Sequence, residues 1–298
     1  MCFFFRSLDP DPAKGQQWIE NLRFYSYDQR ANPRASKILT PGGKPWSQTQ
    51  PRGLAYWESL ASIINKEPVI ERDRVMMGML KPLGIEKGKP FNPDARQKKL
   101  LEQAGLVGEA MARTITFAKR FDGARYRPNT QWAYGLLGNP EQESEFYTQI
   151  DERTSLFYEG TGASKGMMIK MPGVGQAYIG TRTDKDGNWL NGANTYRLRV
   201  PAIVPAKLFW SITAYDNDTR CFIENKEEIA DRSSQMDLRK NDDGSADIYF
   251  GPKPPVGFEK NWIPTISGKG WFAYFRLYGP TDGYFNQSWL LPDVELVQ

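Results

Sequence analysis

The sequence predicts an α+β protein, with a mostly helical region over residues 1–165 packed on an antiparallel, jelly-roll-like β-sandwich over residues 166–298. Three observations carry that prediction. Apolar residues recur at helical spacing between residues 55 and 159, and the period switches to two after Gly166. Turn signals, not long helices, then separate the later apolar segments. A chain of 298 residues that is 40% hydrophobic and 25% charged has the material for a sizeable core.

Residues 1–53 are punctuated by Pro, Gly and polar residues, and one short helical pattern at 16–25 interrupts this loop-like stretch. Residues 55–66 set Leu60, Ile63 and Ile64 on one face, and Pro68 permits a fresh start for Ile70, Met76, Met77 and Leu80. The next helix is the clearest. Asn92 suits its N-cap, Pro93 its first position and Asp94 the positive end of its dipole. Leu100, Ala104, Val107, Met111, Ile115 and Ala118 then form one apolar stripe, and the helix should stop near Phe121 to Gly123. Residues 143–159 repeat the pattern with Phe146, Ile150 and Phe157.

Strand patterns follow at 176–183, 195–200, 207–215, 220–225, 246–250 and 271–279. The last sets Trp271, Ala273, Phe275 and Leu277 against Phe272, Tyr274, Arg276 and Tyr278. No Gly, Pro or Lys interrupts 271–278, so it reads as a central strand with its first face buried. Arg276 among aromatics calls for a carboxylate, and Asp231 or Asp216 is the candidate. The 9 Trp, 14 Tyr and 16 Phe read as core and cross-strand pairs before they read as sugar platforms.

Composition closes much of functional space. The chain has no His, so no Ser-His-Asp or Cys-His arrangement exists within it, and transition-metal sites lose their commonest ligand. Any catalysis must use Asp, Glu, Lys, Tyr, Arg or an oxygen-bound cation. A net charge of +4, spread along the chain, does not make the basic stripe that nucleic acid requires. No apolar run approaches the roughly 20 residues of a membrane span, and the opening residues are too short for a signal peptide. Cytoplasmic and mature periplasmic locations, a homo-oligomer, and either state of Cys2 and Cys221 are all compatible with the sequence.

Near-motifs fail on inspection. Gly84 to Pro90 is one residue short of a phosphate loop and carries Pro90 where Ser or Thr is needed, and Gly173-Val174-Gly175 lacks the third glycine of a dinucleotide fingerprint. The Asp184 and Asn241 stretches resemble calcium loops but end on Thr195 and Pro252 where a bidentate Glu belongs. Turn chemistry explains them, so neither a metal nor a cofactor is implied.

Three polar groups remain. Asp151 and Arg153 sit in a helical pattern, and Asp216 and Arg220 flank a tight strand connection; these four are the candidate catalytic residues. Asn261, Trp262, Asp231 and Arg276 are the candidate ligand-binding residues. Two readings compete. One is a binding or structural module, with a small molecule or carbohydrate as its ligand. The other is a His-independent hydrolase or lyase acting through carboxylates and Arg. A pocket lined by two acids and an Arg favours the enzyme, and dispersed acids favour the module.

Several segments carry a family resemblance. Residues 215–220 (YDNDTR), 230–234 (ADRSS), 248–252 (IYFGP) and 261–265 (NWIPT) resemble the bacterial domain-of-unknown-function family 1214, and Gly268 to Phe272, Phe275 to Tyr278 and Leu291 to Asp293 continue the likeness. Upstream, Glu71 to Arg74, Leu83 to Phe91 and Asp151 to Arg153 resemble the end of its companion family 1254. The resemblance implies a jelly-roll-like C-terminal module and the last part only of a 1254-type domain, hence a short form or a fragment. It implies no reaction.

Overall fold

A computed structural model of the chain describes residues 11–37, 49–135, 143–160 and 171–297. The chain forms two compact units, Met1–Trp46 and Ser47–Gln298. In the first, helix α1 (Pro12–Glu20) starts ahead of the 16–25 pattern, because Asp11 accepts the Ala13 N–H at 2.9 Å and Pro12 occupies the first turn. Cys2 and the Pro41 to Pro45 stretch lie outside the described residues.

The second unit holds helices α2 (Leu54–Lys66), α3 (Arg74–Leu80), α4 (Ala95–Phe117), α5 (Ile150–Gly160) and α6 (Asp282–Phe285). Its strands are β1 (Ala133–Tyr134), β2 (Gln176–Thr181), β3 (Tyr196–Val200), β4 (Ala206–Asp216), β5 (Asp231–Ser233), β6 (Ala246–Gly251), β7 (Trp262–Pro264), β8 (Trp271–Pro280) and β9 (Glu295–Leu296). The expected α+β class is present.

Helix α4 differs from expectation at its start and on its faces. Asp94, not Asn92, is the N-cap: its carboxylate accepts the Gln97 N–H at 2.7 Å while Gln97 Oε1 accepts the Asp94 N–H at 3.0 Å. That reciprocal box needs Gln or Glu three residues on, and Asn92 has only Ala95 there. The apolar stripe expected in the core is open, with Leu100 49%, Val107 60% and Met111 60% exposed. The helix buries Leu101 and Thr116 instead.

Two sheets form the β part, ordered β1-β2-β8-β4-β5 and β7-β6-β3-β9. All pairs but one are antiparallel. Strands β6 and β7 run parallel, a correction to the all-antiparallel expectation, because a crossover joins them where a hairpin would reverse the chain. The expected strand at 220–225 reduces to a single bridge between Phe222 and Tyr215. Arg220 takes a positive φ of 56° and turns the backbone out of the extended region at that point.

The sheets share one core. Ile179, Trp210, Ile212, Trp271, Phe275 and Leu277 from the larger sheet meet Tyr196, Leu198, Ile248 and Phe250 from the smaller. Trp271 stacks on Phe250 with ring centroids 4.6 Å apart, and Phe275 stacks on Trp210 at 5.4 Å. Strand β8 is central, between β2 and β4, and the face set by Trp271, Ala273, Phe275 and Leu277 is fully buried, as its period predicts. The outer face of this sheet is covered at one end by the helices, where Phe117 meets Phe272 at 5.7 Å.

A buried ion cluster anchors that contact. Lys119 follows α4, Glu159 ends α5 and Arg182 follows β2, each no more than 8% exposed. Lys119 Nζ donates to Glu159 Oε2 at 3.0 Å and to the Tyr134 carbonyl at 3.1 Å, and Arg182 Nη2 contacts Glu159 Oε1. The Arg182 guanidinium also lies 5.1 Å from the Phe272 ring centroid. Burial pushes the Lys119 amine down to about 8 against the pull of Glu159, with the Arg182 charge adding to the fall.

Two outcomes follow. Replacing Phe275 by Ala should cost about 3–5 kcal/mol of unfolding free energy, measured by urea denaturation, as for other buried aromatic deletions. Lys119 sheds its proton near pH 8 when folded, but an unfolded lysine keeps its proton to about 10.5. Unfolding therefore takes up a proton between those values, and the stability contributed by Lys119 rises with pH across that window. The wild type should gain on Lys119→Met from pH 8 to 10. A flat difference would contradict the shift.

Candidate functional site

The helices of the second unit do not fill the space between them. Along α4, Ala104, Gly105, Gly108 and Ala112 fall on one face, where their small side chains leave a gap. Gly105 is required there: a Cβ would stand 2.6 Å from the Gly53 carbonyl oxygen. Gly53 itself has φ 56° and leads into α2, whose first free N–H, from Leu54, is taken by Glu102 Oε2 of α4 at 2.6 Å. Trp57 Nε1 donates to the Leu101 carbonyl at 2.8 Å, which fixes the distance between α2 and α4.

The result is a cleft of about 790 Å³ between α2, α4 and α5, walled by Trp57, Met76, Leu156, Phe157 and Tyr158 among others. That size suits a drug-sized organic molecule. Its charged lining is Arg72, Arg153 and Glu109, beside the neutral polar groups of Gln50, Tyr56, Thr154 and Tyr158. Arg72 and Arg153 both pair with Asp73, at 2.9 and 3.5 Å. The Arg72 hydrogen bond is the largest cause holding the Asp73 carboxyl below its usual range. Glu109 is the single acid lining the cleft among the described residues, and Arg52 neutralises it at 2.8 Å.

Arg220 stands behind this wall. Its guanidinium lies 3.9 Å from the Tyr158 ring centroid, and its Nη2 donates to Gln50 Oε1 at 2.8 Å; both partners line the cleft. Arg220 is buried, and burial lowers its pKa. Its positive φ is a strained conformation for a residue with a side chain, held by a turn whose carbonyl at Asp218 accepts from Nη1 at 3.1 Å.

The sequence-derived residues thus divide. Arg153 lines the cleft and Arg220 supports it. Asp216 shares the Arg220 turn through the backbone, but its carboxylate accepts the Asp218 and Thr219 N–H groups at 2.8 and 2.9 Å and faces Lys269 at 3.4 Å. Those bonds and Lys269 keep its pKa low against desolvation, the largest single influence. Asp151 is exposed and does not line the cleft. The expected grouping of acids with arginines around one cavity is therefore not assembled among the described residues.

The second set is spread over the sandwich. Asn261 is fully buried, accepting from the Arg239 N–H at 2.8 Å and donating to the Arg239 and Asp247 carbonyls, so its amide clamps the fold. Trp262 is buried in β7 and donates to the Gly251 carbonyl at 2.8 Å. Arg276 donates to the Thr213 hydroxyl at 3.2 Å and to the Tyr215 hydroxyl, beside the Tyr178 and Tyr215 rings. Its expected pairing with Asp216 is corrected by strand parity, since Tyr215 and Asp216 point to opposite faces of β4. Asp231 lies opposite Thr213 in the β4–β5 register, and burial raises its pKa against the nearby Arg232.

Sequence reading missed the cleft. Its lining comes from five separated segments, and the one local signal is the Ala104, Gly105, Gly108, Ala112 spacing along α4. Elsewhere turn chemistry is as expected: Asp184 Oδ1 accepts the Asp186 and Asn188 N–H groups at 3.0 and 2.9 Å.

Comparisons with known proteins extend this description. No curated protein matches the chain. Among solved structures it is similar to the VPA0106 protein from Vibrio parahaemolyticus, at 19% identity and a TM-score of 0.49, over 98% of this chain and 67% of that one. It is also similar to an uncharacterised protein from Burkholderia cenocepacia, at 11% identity and a TM-score of 0.30, over 80% of this chain and 52% of that one. No helix among the described residues is long and apolar enough to cross a membrane. The segment that begins just before β2 and ends at the start of α6, residues 175–282, matches the family described as Protein of unknown function (DUF1214).

Proposed function

We propose that the chain is a binding module whose helical cleft takes a small, largely apolar organic anion. One observation carries this reading: a cleft of about 790 Å³ with apolar and aromatic walls presents two guanidinium groups, Arg72 and Arg153, that share the single carboxylate of Asp73. Two guanidinium groups side by side favour a carboxylate on the ligand, and the walls favour a ring or short acyl chain behind it. The enzyme alternative needs a pair of acids at the cavity, and Glu109 with its Arg52 partner does not supply one.

The open stripe of Leu100, Val107 and Met111 on α4 supports a related reading, in which the helices are the end of a larger 1254-type domain. The motifs at Glu71 to Arg74 and Leu83 to Phe91 support it too.

Octanoate and benzoate are suitable probes, followed by thermal shift and calorimetry against glucose as the carbohydrate alternative. Arg153→Ala should weaken binding by roughly 10- to 100-fold, the effect of losing a charge-assisted hydrogen bond of about 1.5–3 kcal/mol. Gly108 offers a cleaner test. Nothing lies within 4 Å of a Cβ at that position, so Gly108→Leu should fold at least as stably while projecting its side chain into the cleft. Binding that survives Gly108→Leu unchanged would place the ligand elsewhere.

A further inference from the structure

A second, smaller pocket of about 230 Å³ opens where the strand β2 leaves the sheet, beside the buried ion cluster. Lys119, Arg125 and Arg182 line it, with Gln131, Thr183 and Trp189. Its lining includes no carboxylate among the described residues. Glu159 pairs with both Lys119 and Arg182, and each of its oxygens is already met by one of them.

The charge count is uneven. Three cations face or floor the pocket, and among the described residues Glu159 is the carboxylate seen paired with two of them, Lys119 and Arg182. Arg125 lies near enough to depress the Arg182 pKa further, after burial itself, so the two guanidinium groups repel. Arg182 is 4% exposed, and its Nε–H meets no acceptor among the described residues. A buried donor on a buried cation is costly to leave unmet. Arg125 is exposed at the mouth and held by Gln131, donating to its carbonyl at 2.7 Å and to its side-chain oxygen at 3.1 Å. Trp189, 55% exposed, completes the rim and is bridged to Thr183.

We propose that this pocket is a site for a small oxyanion, a carboxylate or phosphate group, held by Arg125, Arg182 and Lys119. An anion between Arg125 and Arg182 would remove their repulsion and give the cluster its second negative partner. The volume is below the range of drug-sized ligand pockets and admits a group the size of phosphate or acetate. The site is separate from the helical cleft, with which it shares no lining residue.

The test is a thermal-shift and Trp-fluorescence titration of the full chain with sodium phosphate, sulfate and acetate, each against sodium chloride of equal ionic strength. A saturable rise in melting temperature beyond the chloride control is expected, with a change in emission from Trp189 at the rim. Arg125 is exposed, so Arg125→Gln should fold normally while weakening the response at least tenfold. Phosphate and sulfate acting without acetate would identify a phosphate-type ligand, and acetate acting alone a carboxylate. Gly108→Leu, which obstructs the other cleft, should leave the anion response intact, so the two sites fail independently. No response beyond chloride, or an equal response in Arg125→Gln, would overturn the proposal.

Discussion

The contact between Lys119, Glu159 and Arg182 is the constraint on which the arrangement of helices and sheet depends. Each residue sits at the end of an element, so three elements converge where their regular hydrogen bonding stops. A charge taken out of water is tolerated only with good partners, and removing one partner of a buried pair costs several kcal/mol. The ends of α4 and α5 therefore cannot slide over β2 without uncovering an ion. The aromatic contacts around the cluster, Phe117 on Phe272 and Arg182 on the Phe272 ring, add burial but not position. Position comes from the ions. The Arg220 turn repeats the device a short way along, where a buried guanidinium stacked on Tyr158 and bonded to Gln50 ties the sheet's loop to α5.

Once the helix ends are pinned, the small-residue face of α4 has a fixed consequence. Gly105 lets α4 approach the Gly53 backbone, and Trp57 bonds to Leu101 close by. Beyond that touching point, Gly108 and Ala112 carry too little side chain to reach α5, and a cleft remains. Cavities in protein interiors are few because close packing is favourable. A cleft that is kept open by tight contacts on either side, and supplied with two arginines, is a feature of the fold more than a lapse in packing.

How much of this was legible follows from what periodicity measures. Strand β8 was readable to the face, because strict alternation sets Trp271, Ala273, Phe275 and Leu277 on one face and that face is fully buried. The α4 stripe has an equally good period, yet Leu100, Val107 and Met111 are open. Spacing says which residues share a face; it does not say whether a partner covers that face. Strands β1, β5, β7 and β9 have two or three residues each, too short to show any period. The strand expected at 220–225 failed for a local reason, the left-handed backbone at Arg220.

The candidate site was legible only in fragments for a different reason. Arg153 and Arg220 stood out as polar groups in unusual places, but Asp216 and Asn261 stood out equally, and their polar atoms are spent on turns and carbonyls. A carboxylate beside Asn, Asp or Thr in a strand connection is first a turn clamp. Residues that make a pocket charged are those whose partners are too few, and a shortage of partners is a property of three-dimensional neighbours. Lys119, Glu159 and Arg182 are separated by 40 residues in one interval and 23 in the other, so no local motif could contain them. The same reasoning explains how a net charge of only +4 conceals two strongly positive places. Arginines at the cleft share one aspartate, and cations at the small pocket share one glutamate. Other cations are paired one to one at the surface, such as Lys89 with Glu86 and Lys260 with Asp237. Where cations share a carboxylate at a concave, partly desolvated surface, their attraction for an anion is least screened.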